Sequence, residues 1–236
     1  MSSDKKKNLA IIPARGGSKR LPNKNLSLLG GKPLVSHSIE AALEADSVTD
    51  IIVSSDSEKI LDIAAEYDGV IKHKRNEELS SDTSTALELV EHLYLNSQTS
   101  YEFITLMLPT CPFRTSQHLD RGIDKVKKDD DGVVSLTSIE FPTALIVDVN
   151  DEYVSLEKNS ALITGNTRSQ NHITRYRPSG GFYVSRWESF DKYRNFWKGN
   201  VRYFIMDNLD SVDIDTPKDL EYANLIYHSK LNQKNL

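Results

Sequence analysis

The sequence predicts an α/β fold: a mostly parallel, twisted sheet flanked by helices. Three observations carry that reading. From residue 8 to residue 139, short apolar runs alternate with segments of helical periodicity. Between 140 and 178 the alternation stops, and the chain reads instead as a β-rich arm inserted in the fold. After 178 the alternation resumes, so residues 1–236 form one domain with 140–178 as its insert.

The elements follow in order. Residues 8–13, NLAIIP, are continuously apolar and end at a turn, as a buried strand does. Pro33 opens a helix over 33–46 whose inner face is Leu34, Ser38, Ala41, Ala42 and Ala45. The strand 51–56 precedes a helix over 57–68 with Ile60, Ile63, Ala64 and Tyr67 on one face, closed by Gly69. A strand over 70–74 leads through the polar stretch 75–84 to a helix over 85–95, with Ala86, Leu89, Val90 and Leu93 inward. Next come a strand over 102–108, a loop over 109–115, a helix over 116–129 and a strand over 133–139. Within the insert, 144–149 has strand character, and 164–178 is polar. The last elements are a strand over 180–185, a helix near 186–194, a strand over 201–206 and a helix from Pro217.

Composition narrows the function. The chain has 236 residues, 38% of them hydrophobic and 27% charged, enough to bury a core without a disulfide or metal staple. Cys111 is the single cysteine, so no intrachain disulfide forms and a reducing cytoplasm fits. The apolar runs 9–14 and 104–109 are far too short to span a bilayer, and Pro13 and Arg15 interrupt any leader-like stretch. A formal charge of -5 argues against nonspecific nucleic-acid binding. Yet residues 14–25, ARGGSKRLPNKN, concentrate Arg15, Lys19, Arg20 and Lys24 right after the first strand. A local basic cluster in an acidic chain points to a small anionic ligand. The glycine pair Gly16–Gly17 lets backbone N–H groups converge, since glycine accepts positive φ, and the cations add charge-assisted bonds to phosphate. In doubly wound sheets this loop lies where ligands bind. Neither G-x-x-x-x-G-K-[ST] nor G-x-G-x-x-G occurs, so the grip is neither a P-loop nor a dinucleotide fingerprint.

Three further groups carry chemistry. Asp213 and Asp215 in SVDIDTP are two residues apart and share a side of an extended segment. They suit Mg²⁺ completed by water and phosphate oxygens, or else Asp215 or Thr216 caps the helix at Pro217. Arg75 opens a polar loop and, on its own, reads as a surface arginine. Ser81, Asp82 and Thr83 suit the N-cap of the next helix, and Cys111 reads as a small buried residue without a catalytic partner.

Segment 12–25, IPARGGSKRLPNKN, resembles the signature of the acylneuraminate cytidylyltransferases, the CMP-sialic acid synthetases. The likeness continues through 33–42, 52–60, 75–84, 109–114, 177–184 and 211–220, in order and over nearly the whole chain. The resemblance implies a nucleotide-diphosphosugar-transferase type fold, a homodimer with exchanged arms, and activation of a 2-keto-3-deoxy sugar acid by CTP and Mg²⁺ to give a CMP-sugar and pyrophosphate. It implies that Arg15 and Lys19 hold the triphosphate with the backbone of Ala14, Gly16, Gly17 and Ser18, and that Lys24 and Asn25 lie against phosphate and ribose. It places Arg75 at the cytosine with the backbone of the 81–85 segment, Ser81 and Thr83 included, and makes Asp213 and Asp215 the metal ligands, with Arg15, Lys19 and Asp213 catalytic. The acceptor is expected against Leu108, Thr110, Tyr183, Arg168 and Arg175, with an arginine, Arg168 foremost, pairing with its carboxylate.

Two positions depart from the sialic-acid pattern. Leu108 stands where such members carry glutamine, and Ala144 where the arm carries lysine. Apolar groups there favour a more deoxygenated or N-acylated nonulosonic acid, of legionaminic or pseudaminic type. A 3-deoxy-octulosonate cytidylyltransferase is the neighbouring alternative. A noncatalytic sugar- or nucleotide-binding module fits less well, because Arg15, Lys19, Asp213 and Asp215 are all present.

Overall fold

The computed structural model describes residues 7–81 and 83–234. Its centre is a seven-stranded sheet. The strands are β1 (Asn8–Pro13), β4 (Asp50–Ser55), β5 (Val70–Lys74), β6 (Phe103–Leu106), β7 (Gly132–Ser138), β10 (Tyr176–Arg186) and β11 (Val201–Ile205). They lie in the order β11-β7-β10-β6-β1-β4-β5. Six run parallel in their pairings, and β10 alone is antiparallel, wedged between β6 and β7. Two small hairpins complete the strands: β2 (Leu28–Leu29) with β3 (Lys32–Pro33), and β8 (Asp148–Asn150) with β9 (Tyr153–Ser155).

Alternation along β1 builds both layers. Ala10 and Ile12 face the cluster that buries α1 (Leu34–Leu43), α2 (Glu58–Ala65) and α5 (Ser116–Ile123). Leu9 and Ile11 face the cluster under α4 (Ala86–Leu95) and α7 (Trp187–Tyr193). A central strand buried on both faces reads as one continuous apolar run, as 8–13 does. A third cluster packs Ala223 and Ile226 of α8 (Pro217–Lys234) against Leu21, Leu29, Val212 and Ile214. This contact seats the segment 211–216 against the loop that follows β1.

Several expectations need correction. The helix expected over 116–129 stops at Ile123, because the Asp130 carboxylate takes the Lys127 N–H at 2.8 Å and closes a turn there. The N-cap of α4 is Thr85, in a reciprocal box with Glu88, rather than the 81–83 cluster. Asp82 lies outside the described residues. In the insert, 143–145 forms a 3₁₀ turn after Pro142, so the strand character expected over 144–149 is confined to β8. The insert holds one three-residue hairpin, α6 (Ala161–Thr164) and a second 3₁₀ turn, less strand than its sequence suggests. It returns where it leaves: the Ile139 N–H donates to the Arg175 carbonyl at 2.8 Å, and β10 already begins at Tyr176. Among the described residues no helix is long and apolar enough to cross a membrane.

Candidate active site

The parallel strands β1, β4 and β6 end together, and the site lies beyond their carboxyl ends. The Ala14 N–H donates to the Ser54 carbonyl at 2.8 Å, carrying the sheet one residue past β1. The chain then turns sharply. The Gly16 N–H donates to Asp56 Oδ1 at 2.7 Å, and a Cβ on Gly16 would lie 2.9 Å from Ser57 Cβ. Close packing is therefore why residue 16 is glycine. Positive φ is not the reason, since neither Gly16 nor Gly17 has it. The left-handed residue of this loop is Asn23, at φ 55°. Buried Asn25 braces the turn by donating from Nδ2 to the Arg15 carbonyl at 2.8 Å.

This loop supplies two adjoining hollows. One, of about 260 Å³, is lined by Arg15, Ser18, Lys19, Arg20 and Lys24. The other, of about 200 Å³, shares Arg15 and Lys24 and adds Asn25, Arg75, Ser84, Leu108 and Thr110. The first is wholly polar or cationic and suits a polyphosphate. The second has a buried guanidinium on one side and an apolar wall on the other, as a base or sugar ring requires.

Arg75 is buried, which corrects its reading as a surface arginine. Its Nε donates to Ser54 Oγ and its Nη2 to the Ser54 carbonyl, both at 3.1 Å. Burial pushes the guanidinium down to about 10, with Asp56 working against that and Arg15 with it, so it stays charged at neutral pH. Of the 81–85 segment Ser84 lines the Arg75 cleft, whereas Ser81 and Thr83 line only an adjoining groove beside α4 that shares Ser84.

Opposite the cationic loop stands the segment before α8. Arg20 Nη2 and Lys24 Nζ each lie 2.7 Å from an oxygen of Asp215. Capping of α8 falls to Thr216 and Asp219. The Asp219 carboxylate accepts from the N–H groups of Asp215 and Thr216, and Thr216 Oγ1 accepts from the Asp219 N–H. The carboxylate of Asp215 is thus left for the basic loop. Asp213 is more deeply placed. Burial pushes its carboxyl pKa up and the nearby Asp215 charge adds to this, against Thr110, Lys24 and Arg177. Among the described residues, no group of three or more His, Cys, Asp or Glu gathers to hold a metal. A divalent ion here would rest on the Asp213–Asp215 pair and on ligand oxygens. The pair suits it, because a cation beside Asp213 offsets both causes that raise its pKa.

The far side of the cleft, where the acceptor was expected, is built by a loop and a bulge. Buried Arg114 donates to the carbonyls of Leu108, Cys111 and Gly181 at 3.1, 3.2 and 2.9 Å, and also to Ser38 Oγ. It pins the 108–114 loop, so that Leu108 and Thr110 face the cleft. The register of β10 shifts between Pro178 and Tyr183, with Gly180 at φ 76°. Tyr183 follows that bulge, and burial with the Asp213 charge pushes its hydroxyl up to about 12. Cys111 is buried, and burial pushes its thiol up to about 11, as suits an inert packing residue. Arg168 and Arg175 lie exposed on the insert and line neither hollow, whereas Arg177, on β10, is close enough to act on Asp213. Sequence reasoning assigned no role to Ser54, Asp56 or Arg114. Asp56 alone carried a signal, as an acidic residue just past a parallel strand in line with the basic loop.

The site makes this an α/β protein of the doubly wound type, with an anion-binding turn past the carboxyl end of its first strand, where such sheets take their ligands. The cytidylyltransferase family model matches residues 9–235, and the chain belongs to that family. It is 35% identical over 228 residues to an N-acylneuraminate cytidylyltransferase of Escherichia coli O18:K1:H7, covering 96% of this chain but about half, 53%, of that relative. It is 31% identical to a CMP-N,N'-diacetyllegionaminic acid synthase of Legionella pneumophila, over 97% of this chain and 98% of the relative. A pseudaminic acid cytidylyltransferase of Campylobacter jejuni is 32% identical, over 94% and 96%. Among solved structures, CMP:2-keto-3-deoxy-manno-octonic acid synthetase complexed with CTP superposes with a TM-score of 0.67 at 19% identity, covering 95% of this chain and 99% of that one.

Proposed function

We propose that the protein transfers a cytidylyl group from CTP to a nonulosonic, 2-keto-3-deoxy sugar acid, releasing pyrophosphate. One observation carries the reading: a cationic hollow and an arginine-floored cleft share Arg15 and Lys24, with Asp213 beside them. The anomeric hydroxyl of the acceptor attacks the α-phosphorus, and pyrophosphate leaves. Little covalent chemistry falls to the protein, so its work is alignment and charge neutralisation. Arg15 sits where the hollows join and offsets charge at the α-phosphate, while Lys19, Arg20 and Lys24 hold the leaving pyrophosphate. Arg75 lies against the base. Asp213 with Asp215 would hold Mg²⁺, which supplies further charge neutralisation on the phosphates when bound.

Leu108 gives the acceptor pocket an apolar wall, which favours a legionaminic or pseudaminic type acid over N-acetylneuraminate. Arg168 and Arg175 reach no part of the cleft of their own chain, and the insert around them exposes Val149, Tyr153 and Ile173 at 76%, 78% and 80%. A homodimer in which each insert completes the partner's site accounts for both facts. Pyrophosphate release from CTP across a panel of keto-sugar acids tests the acceptor. A legionaminic or pseudaminic type acid is expected to give the highest kcat/KM; a clear preference for N-acetylneuraminate contradicts the role given to Leu108.

A further inference from the structure

The orientation of Arg75 depends on a relay across the last two strands of the sheet. Ser54 on β4 and His73 on β5 are register partners, and Ser54 Oγ lies 2.9 Å from His73 Nδ1. The same oxygen takes the Arg75 Nε–H at 3.1 Å, and the Ser54 carbonyl takes Nη2 at 3.1 Å. A guanidinium only donates, so Ser54 Oγ is the acceptor in that bond and its own hydrogen must be directed elsewhere. His73 Nδ1 is within reach of it. If Nδ1 accepts, it carries no proton, and the neutral ring bears its hydrogen on Nε2.

We propose that His73 is a positioning residue for nucleotide recognition: as the neutral Nε2–H tautomer it fixes the Ser54 hydroxyl, which holds the Arg75 guanidinium in the cleft. This rests on the reading of Arg75 as a nucleotide contact. The surroundings keep the ring neutral. Burial acts first, then His92 of α4, whose ring centroid is 5.9 Å away, then Arg75 itself. β4 contributes the uncharged Ser54, and Glu58 of α2 is occupied by Lys74 at 2.5 Å. A protonated ring would set a second cationic donor on an oxygen already used by Arg75 and leave the hydroxyl hydrogen without this acceptor. A relay of this kind acts on binding geometry and so on KM for the nucleotide more than on kcat.

The test is steady-state pyrophosphate release in His73→Phe, His73→Asn, Arg75→Lys and the His73→Phe/Arg75→Lys double variant. His73→Phe is expected to raise KM for CTP about tenfold, the order of one buried hydrogen bond, with a smaller change in kcat. His73→Asn, whose Oδ1 can accept near the position of Nδ1, should recover most of the loss. The double variant should be no worse than Arg75→Lys, because both changes break one relay. An unchanged KM in Arg75→Lys overturns the reading of Arg75 itself. A raised KM there, with His73→Phe unaffected, with His73→Asn as impaired as His73→Phe, or with additive losses in the double variant, overturns the relay alone. Nitrogen NMR of the wild-type histidines gives an answer free of folding defects: an unprotonated Nδ1 on His73 at neutral pH is expected, and a protonated one overturns the proposal.

Discussion

Arg20 and Lys24 close on the single carboxylate of Asp215, and that meeting shows how an acidic chain can crowd four cations onto one loop. Arg20 is two-thirds exposed in this pair, which makes the pair weak and easily exchanged for phosphate. Arg15 stands at the junction of the two hollows. Its replacement by alanine should lower kcat by roughly 10²–10³, as loss of a charge-stabilising contact does, with the melting temperature nearly unchanged. Steady-state kinetics beside calorimetry check both halves of that statement. Exhaustive chelation should abolish turnover, and Asp213→Asn should not regain wild-type activity at any Mg²⁺ concentration; full activity in chelator removes the carboxylate pair from the mechanism. The cations of 14–25 were legible in the sequence because no structural rule calls for them. The burial of Arg75 was not, because its partner Ser54 is 21 residues back on another strand and only the β4–β5 register brings them together. That Arg177, and not Arg168 or Arg175, comes near Asp213 was illegible for the same reason, since it depends on where the β10 ladder begins.

Among the elements, α8 has the most to do with the site. Its first turn is closed by the Thr216–Asp219 box, and its inner face packs on Leu21 and Leu29 of the loop region after β1. Helix and loop therefore hold Asp213 and Asp215 against the cations. Asp219→Ala should cost about 1 kcal/mol of stability, the usual worth of an N-terminal cap. Urea unfolding should show a lower midpoint at unchanged slope; an unchanged midpoint means the box carries no load. Because the box also fixes the backbone of Asp215, the same variant should need more Mg²⁺ for half-maximal rate. The start of α8 was readable from Pro217 and the polar residues before it, but the sequence left the cap open between Asp215 and Thr216 and gave Asp219 no part in it. The early end of α5 was hidden in the same way: 116–129 keeps helical periodicity, and only the Asp130 side chain, folded back on Lys127, ends it. Short turns set by one side-chain bond leave little trace in a periodicity.

For the molecule as a whole, three half-buried histidines make stability depend on pH. Burial lowers the pKa of His37, His73 and His118 below the ordinary value of 6.5. The unfolded chain therefore binds more protons than the native one as pH falls past 6.5, and stability present above that value drains away toward the lower native pKa values. Melting temperatures should fall from pH 7 to pH 5, and a flat profile over that interval contradicts the neutral state of these rings. Parallel α/β architecture was legible because the short, mainly apolar runs at β1, β4 and β6 are divided by amphipathic helices. The antiparallel insertion of β10 was not, since strand direction depends on where the insert returns the chain, and the Ile139–Arg175 bond that closes it joins residues 36 apart. The reaction itself is the direct test of the proposed function. Mass spectrometry of products formed from CTP, ATP, GTP or UTP with a nonulosonic acid and Mg²⁺ should show a CMP-linked sugar from CTP and little conjugate from the other three. No nucleotide–sugar product with any acceptor, or equal products from all four nucleotides, would contradict it.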